Sequence, residues 1–142
     1  MISNAITYKF NGLVRKITTL IKVSMQNGNS LEAIALWDTG TTKSIITFDM
    51  ARQLNLCPEG TTLLNGVTGS QYVHTYVVNF TLPNGFSKDF VVASCTKAIG
   101  CDVLIGMDII SIVDFAITRG SQGTTFSFKT PQGDEIDFSV RT

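Results

Sequence analysis

The run Ala35-Leu36-Trp37-Asp38-Thr39-Gly40-Thr41-Thr42-Lys43-Ser44-Ile45-Ile46 decides how this chain is read. Residues 33–37 are apolar enough for a buried strand, and that strand ends on a carboxylate. An ionised carboxylate there is costly unless hydrogen bonds or a shared proton compensate. Gly40 lets the chain turn so that backbone amides face Asp38, while Thr39 and Thr41 add hydroxyls that can orient it. Taken alone, Asp-Thr-Gly serves equally well as a turn whose aspartate is only a cap.

Outward from this stretch the sequence reads mostly as strand. Residues 20–25 alternate, with Ile21, Val23 and Met25 on one side, and Asn27-Gly28 supplies a tight hairpin turn into residues 31–37. After the short strand 44–47 the period changes over 48–56, where Met50, Ala51 and Leu54 share a helical face. Asp49 suits the first turn and Pro58 stops the helix. Residues 63–80 form a long hairpin with the tip Asn65-Gly66-Val67-Thr68-Gly69. Tyr72, His74, Tyr76 and Val78 lie on one side of its return strand. Asn84-Gly85 then joins 77–82 to 90–93. A strand over 102–106, a short helix over 107–112 and strands at 115–118, 124–129 and 135–140 complete the expectation.

The two halves echo each other. MQNGNSLEAIALWD and LPNGFSKDFVVASC share Asn-Gly, a serine two residues on and an apolar return strand. Strand-DTG-strand-helix in the first half parallels strand-LIG-helix in the second. These patterns predict one all-β domain over residues 1–142, with a duplicated template and one or two short helices.

Composition narrows the function. Eleven basic and 11 acidic residues cancel, leaving no surplus to neutralise a phosphate backbone, so nucleic acid is not the expected partner. No apolar stretch reaches the roughly 20 residues of a membrane span. MISNAITYKF has neither the basic start nor the apolar core of a signal peptide. With 3 cysteines, 1 histidine and no Cys-x-x-Cys, the chain lacks a good zinc set. A Ser-His-Asp mechanism would hang on His74 alone. The expectation is a reduced cytoplasmic protein without metal or cofactor.

One carboxylate cannot be both the base and the acid that amide hydrolysis requires. Two within about 3 Å can, because they share one proton and their pKa values are driven apart. Asp102, Asp108 and Asp114 lack the following Thr-Gly, so the second carboxylate has to come from another copy across a two-fold axis beside Asp38.

Three blocks together resemble the retropepsin-like aspartic proteases, the single-domain family of the retroviral proteases and bacterial relatives. The first is the Asp38-Thr39-Gly40 stretch, continuing into Ala51-Arg52-Gln53-Leu54-Asn55-Leu56. The second is Asn65-Gly66-Val67-Thr68-Gly69-Ser70, which is similar to a flap tip. The third is Val103-Leu104-Ile105-Gly106-Met107-Asp108-Ile109-Ile110. Their order and spacing fit over roughly residues 20–117. The resemblance implies a closed acid-protease fold with a flap hairpin, and a homodimer that cleaves extended peptides. Asp38 would then be the catalytic aspartate. Thr39 would bond across the dimer axis, and Gly40 would seat the carboxylate. Thr41, Gly66, Val67, Thr68 and Gly69 would contact substrate. Thr41 and Trp37 depart from the family's usual residues, and the chain beyond Phe115 is longer than the retroviral pattern. Either residues 2–10 or 135–140, or both, could form the dimer sheet.

The rival reading is a non-catalytic dimeric module that keeps the fold and binds peptide. A latent form opened by self-cleavage and a non-peptide hydrolase are further alternatives. The residues near Asp38 point to apolar substrate preference. Lys43 and Arg52 read as solvated outer-face residues, Cys95 and Cys101 as buried thiols, His74 as a packed or solvent-facing side chain, and Asp108 as a helix-terminus carboxylate.

Overall fold

A computed structural model describes residues 4–26, 28–66, 69–95 and 100–140. In chain order the elements are β1 (Asn4–Lys9), β2 (Thr18–Ser24), β3 (Ser30–Trp37), β4 (Ile45–Thr47), α1 (Phe48–Gln53), β5 (Gly60–Gly66), β6 (Gly69–Thr81), β7 (Ser87–Cys95), β8 (Val103–Ile105), α2 (Met107–Ile110), β9 (Asp114–Arg119) and β10 (Thr124–Thr130).

The period-2 pattern places the strands. Ile21 and Val23 of β2 and Ala33, Ala35 and Trp37 of β3 are buried, while the residues between them face outward. The β2–β3 hairpin pairs Thr18 with Leu36 and Ser24 with Ser30, and Gly28 in its turn has φ 97°. Asn27 lies outside the described residues. β6 changes environment along its length: Tyr72 and His74 are exposed, whereas Tyr76 and Val78 are buried. The same alternation therefore leaves the core and enters a projecting hairpin.

Seven strands run in the order β2-β3-β8-β4-β7-β6-β5, and a further β2–β6 pairing closes the first six into a ring. Closure removes the sheet edges, leaving β5 to extend outside as half of the hairpin with β6. The two halves exchange neighbours: β8 lies parallel to β3, and β4 lies parallel to β7. Where they meet, β4 and β8 pair antiparallel, Ile45 with Leu104 and Ile46 with Val103. This exchange is the geometry expected of a duplicated strand-and-helix template.

A second sheet has the order β1-β10-β9. Its inner face supplies Phe126 and Phe128, both fully buried. Trp37 settles among them, its ring 5.1 Å from each of those rings and 6.3 Å from Phe115. The indole N–H donates to Thr19 Oγ1 at 3.0 Å, so the buried polar atom is satisfied. The large side chain thus finds its space in the core.

Two expectations need correction. Helix α1 stops at Gln53 rather than continuing to residue 56, because Asn55 takes φ 54° and breaks the helical turn before Pro58 is reached. Residues 135–140 form no strand. The Asp137 side chain instead accepts from the Ser139 N–H and hydroxyl, a local turn that competes with extended pairing, and no sheet edge is hydrogen-bonded alongside. Among the described residues no helix is long and apolar enough to cross a membrane.

Candidate active site

Asp38 follows the last residue of β3 and is half-buried. Its backbone N–H donates to Ile105 O at 2.9 Å, which fixes it against the end of β8. One carboxylate oxygen, Oδ1, accepts from Gly40 N at 2.9 Å, and Oδ2 accepts from Thr41 Oγ1 at 3.0 Å. Two donors therefore hold the carboxylate in one orientation. A Cβ at Gly40 would lie 3.2 Å from Asp38 Oδ1. A side chain there would press on the carboxylate, and glycine relieves that contact; its backbone is not in the left-handed region. Thr39 is exposed.

The second half of the chain clamps this loop. Met107 N donates to Thr41 O at 2.7 Å, and Asp108 N donates to Thr42 O at 3.2 Å. Ser44, fully buried, accepts from Gly106 N at 2.9 Å and donates its hydroxyl to Asp108 Oδ1 at 2.7 Å. A Cβ at Gly106 would stand 2.7 Å from Thr41 O, so only glycine lets the two segments come this close.

Beside the loop opens a cavity of about 730 Å³. Residues 40–43 and Ile45 line one wall, and the β5–β6 hairpin lines the other with residues 62–66 and 69–71. Its surface mixes apolar Ile45, Leu63 and Leu64 with hydroxyls, amides and one ammonium, so it is not the apolar lining expected from sequence. Lys43 belongs to this wall and is half-buried, which corrects its assignment to a solvated outer face. Arg52 does lie outside, exposed and paired with Asp49.

No protein-family model matches the chain, and no curated protein matches it by sequence. Solved structures do match. A retropepsin-like aspartic protease from Rickettsia conorii superposes with a TM-score of 0.59 at 15% identity, over 89% of this chain and 91% of that one. The EIAV protease complexed with the inhibitor HBY-793 gives 0.57 at 21% identity, over 73% and 92%. The chain has the retropepsin-like fold.

In this retropepsin-like fold the β5–β6 hairpin stands where a flap is expected. Gly66 and Gly69 face each other as its last described pair, and Gly69 has φ 134°, a conformation that favours glycine. Val67 and Thr68 lie outside the described residues. Gly40, Thr41, Gly66 and Gly69 thus line one groove, and the Asp38 carboxylate stands beside it, hydrogen-bonded to Gly40 and Thr41. Asp102, Asp108 and Asp114 are committed elsewhere, to Ile34 N, to Ser44 and to the backbone of residues 133–134.

Cys101 is half-buried rather than buried. Burial pushes its thiol pKa up, Asp102 adds to the shift, Lys16 opposes it, and Asp38 contributes a smaller rise. Lys16 follows from the hairpin register. The Trp37 N–H donates to Ile17 O at 3.0 Å, so the contact runs one step past Thr18–Leu36 and stops next to Lys16. Its neighbourhood was not legible from spacing alone, because it depends on how far the β2–β3 ladder continues.

Proposed function

We propose that the chain is an aspartic endopeptidase that works as a homodimer, with Asp38 and its copy in the second subunit as the catalytic pair. The observation that carries this reading is the Asp38 carboxylate. It ends a buried strand, is oriented by Gly40 N and Thr41 Oγ1, and stands beside a groove walled by a glycine-tipped hairpin. The retropepsin-like fold supports it.

A second copy is required because a single chain places one suitable carboxylate at the groove. The three-stranded sheet has two edges, β1 and β9, each with a neighbour on one side only, and β9 is the one that adjoins the Asp38 strand. Phe115 at the start of β9 touches Trp37, the residue before Asp38, and Ile117 further along is 51% exposed. Addition of a second β9 across this edge would bury Ile117 and bring the Asp38 loops toward a common axis.

In the dimer the two carboxyl groups hold one proton between them. The ionised member takes a proton from a bridging water as the water oxygen attacks the peptide carbonyl carbon. The protonated member donates to the carbonyl oxygen, giving a neutral gem-diol. Breakdown returns one diol proton to the dyad, while the other carboxyl delivers its proton to the leaving nitrogen. One water is consumed, an acid and an amine are released, and the dyad recovers its single proton. Closing of the β5–β6 hairpin would exclude bulk water from these steps.

The test is cleavage of a diverse peptide library from about pH 4 to 7, read by mass spectrometry, beside Asp38→Asn. New termini from the parent alone are expected. A folded, dimeric parent that binds peptides without cutting any would support the non-catalytic peptide-binding module instead.

A further inference from the structure

We propose that Lys43 makes the groove a site for acidic peptide segments, pairing with a substrate carboxylate near the bond cleaved, an inference that rests on the endopeptidase reading. Of the described residues lining the groove, Lys43 alone is charged. It is half-buried on the wall that begins at Gly40. The ion pairs of the described residues join Arg52 to Asp49 and Lys129 to Asp114 and Asp134, so none of them occupies Lys43. The carboxylate of Asp108, which binds the next residue along, has both its oxygens engaged by Ser44.

A lysine on the groove wall, joined to no anion by the ion pairs of the described residues, contributes a positive potential to the cleft around it. A bound peptide displaces more water and strengthens that potential. The surrounding groups, Thr42, Thr62, Asn65 and Gln71, are uncharged and can donate to a carboxylate or to an extended backbone. A single lysine with no arginine in the lining suits one carboxylate better than a phosphate, which is usually gripped by several cationic or forked donors. Glutamate or aspartate in an extended peptide is the ligand chemistry this wall fits.

Lys16 supplies the control. It precedes Ile17, which accepts from the N–H of Trp37, and does not line the groove. If the effect is a local pairing, removing Lys16 leaves the selectivity in place. If it is only a general positive field, either lysine serves equally.

The experiment compares peptides that are identical except for Glu, Gln or Leu at each position near the cleaved bond. The parent is expected to favour Glu over Gln in kcat/KM by about fivefold at one position, the size of a rim ion pair. Lys43→Gln brings that ratio close to one, Lys43→Glu turns it toward Lys, and Lys16→Gln preserves it. Added salt shrinks the parent's preference. The proposal is overturned if the parent cleaves without preferring Glu anywhere, if Lys43→Gln keeps the preference, or if Lys16→Gln abolishes it equally. A parent that cleaves nothing overturns the endopeptidase reading. Binding of Glu against Gln peptides to parent and Lys43→Gln, by fluorescence anisotropy, then decides the role of Lys43 separately.

Discussion

Ser44 donates both its backbone N–H, at 3.0 Å, and its hydroxyl, at 2.7 Å, to the carboxylate of Asp108, 64 residues further along the chain. The same hydroxyl accepts from Gly106 N, so one buried serine joins the segment after Asp38 to the Leu-Ile-Gly segment. Asp108→Ala would leave a buried hydroxyl and an N–H without their acceptor. A loss of about 2–4 kcal/mol in unfolding free energy is expected from chemical denaturation. Turnover per folded dimer should fall much less, and unchanged stability with lost turnover would contradict this assignment.

Gly106→Ala tests the close approach of the same two segments. The new methyl would meet the Thr41 carbonyl oxygen at 2.7 Å and the Ser44 nitrogen at 3.2 Å, both backbone atoms that cannot rotate away. Overpacking of this kind costs about 1–3 kcal/mol. Because the displaced atoms carry the Asp38 loop, both the melting temperature and peptide cleavage should drop. Full activity with a wild-type melting curve would show that the loop tolerates the displacement.

Trp37→Phe removes an indole from between Phe115, Phe126 and Phe128 and takes away the donor to Thr19 Oγ1. Thr19 is 5% exposed, so water does not readily replace that donor. The combined cavity and lost hydrogen bond should destabilise the protein by about 2–3 kcal/mol in urea unfolding. A second substitution, Thr19→Val, should cost less in the Phe variant than in the parent, since the hydroxyl there has already lost its partner.

Acid sensitivity should trace in part to Asp114. The backbone N–H of Asp134 holds its carboxyl pKa below the ordinary aspartate value; desolvation opposes this, and Gly133 N–H and Lys129 reinforce it. A depressed folded-state pKa contributes stability that is fully present above the unfolded value. That contribution is lost as pH falls through the lower, folded value. Asp114→Asn should therefore narrow the difference in urea midpoint between pH 6 and acid conditions, the effect developing as pH falls through and below the ordinary aspartate value. An identical pH dependence in parent and variant would remove Asp114 from the account.

Much of the architecture could be read from local pattern. Asn27-Gly28 and Asn84-Gly85 both mark hairpins, because a tight turn needs residues that tolerate positive φ, and Gly28 and Gly85 adopt it at 97° and 91°. The Asp38 loop was also readable, since an aspartate after five apolar residues needs nearby donors, and the glycine and threonine that supply them follow directly. Residues 135–140 misled because Ile136, Phe138 and Val140 alternate like a strand but are exposed, and a strand requires a partner edge that the pattern does not encode. Lys43 misled for a similar reason. Its neighbours in sequence are polar, but the wall it joins is completed by β5 and β6.

The sequence by itself determined the turns, the alternation of each strand, the single Asp-Thr-Gly carboxylate and the echo between the halves, because these depend on neighbours within a few residues. Tertiary structure decided what those pieces face. It closed the ring through the β2–β6 pairing, set β3 beside β8 and β4 beside β7, and placed Ser44 on Asp108. It also left β1 and β9 as sheet edges and made Lys43 part of the groove wall. Such relationships join residues tens of positions apart, and they arise only when burial of both sheets in one core selects a single register and closure.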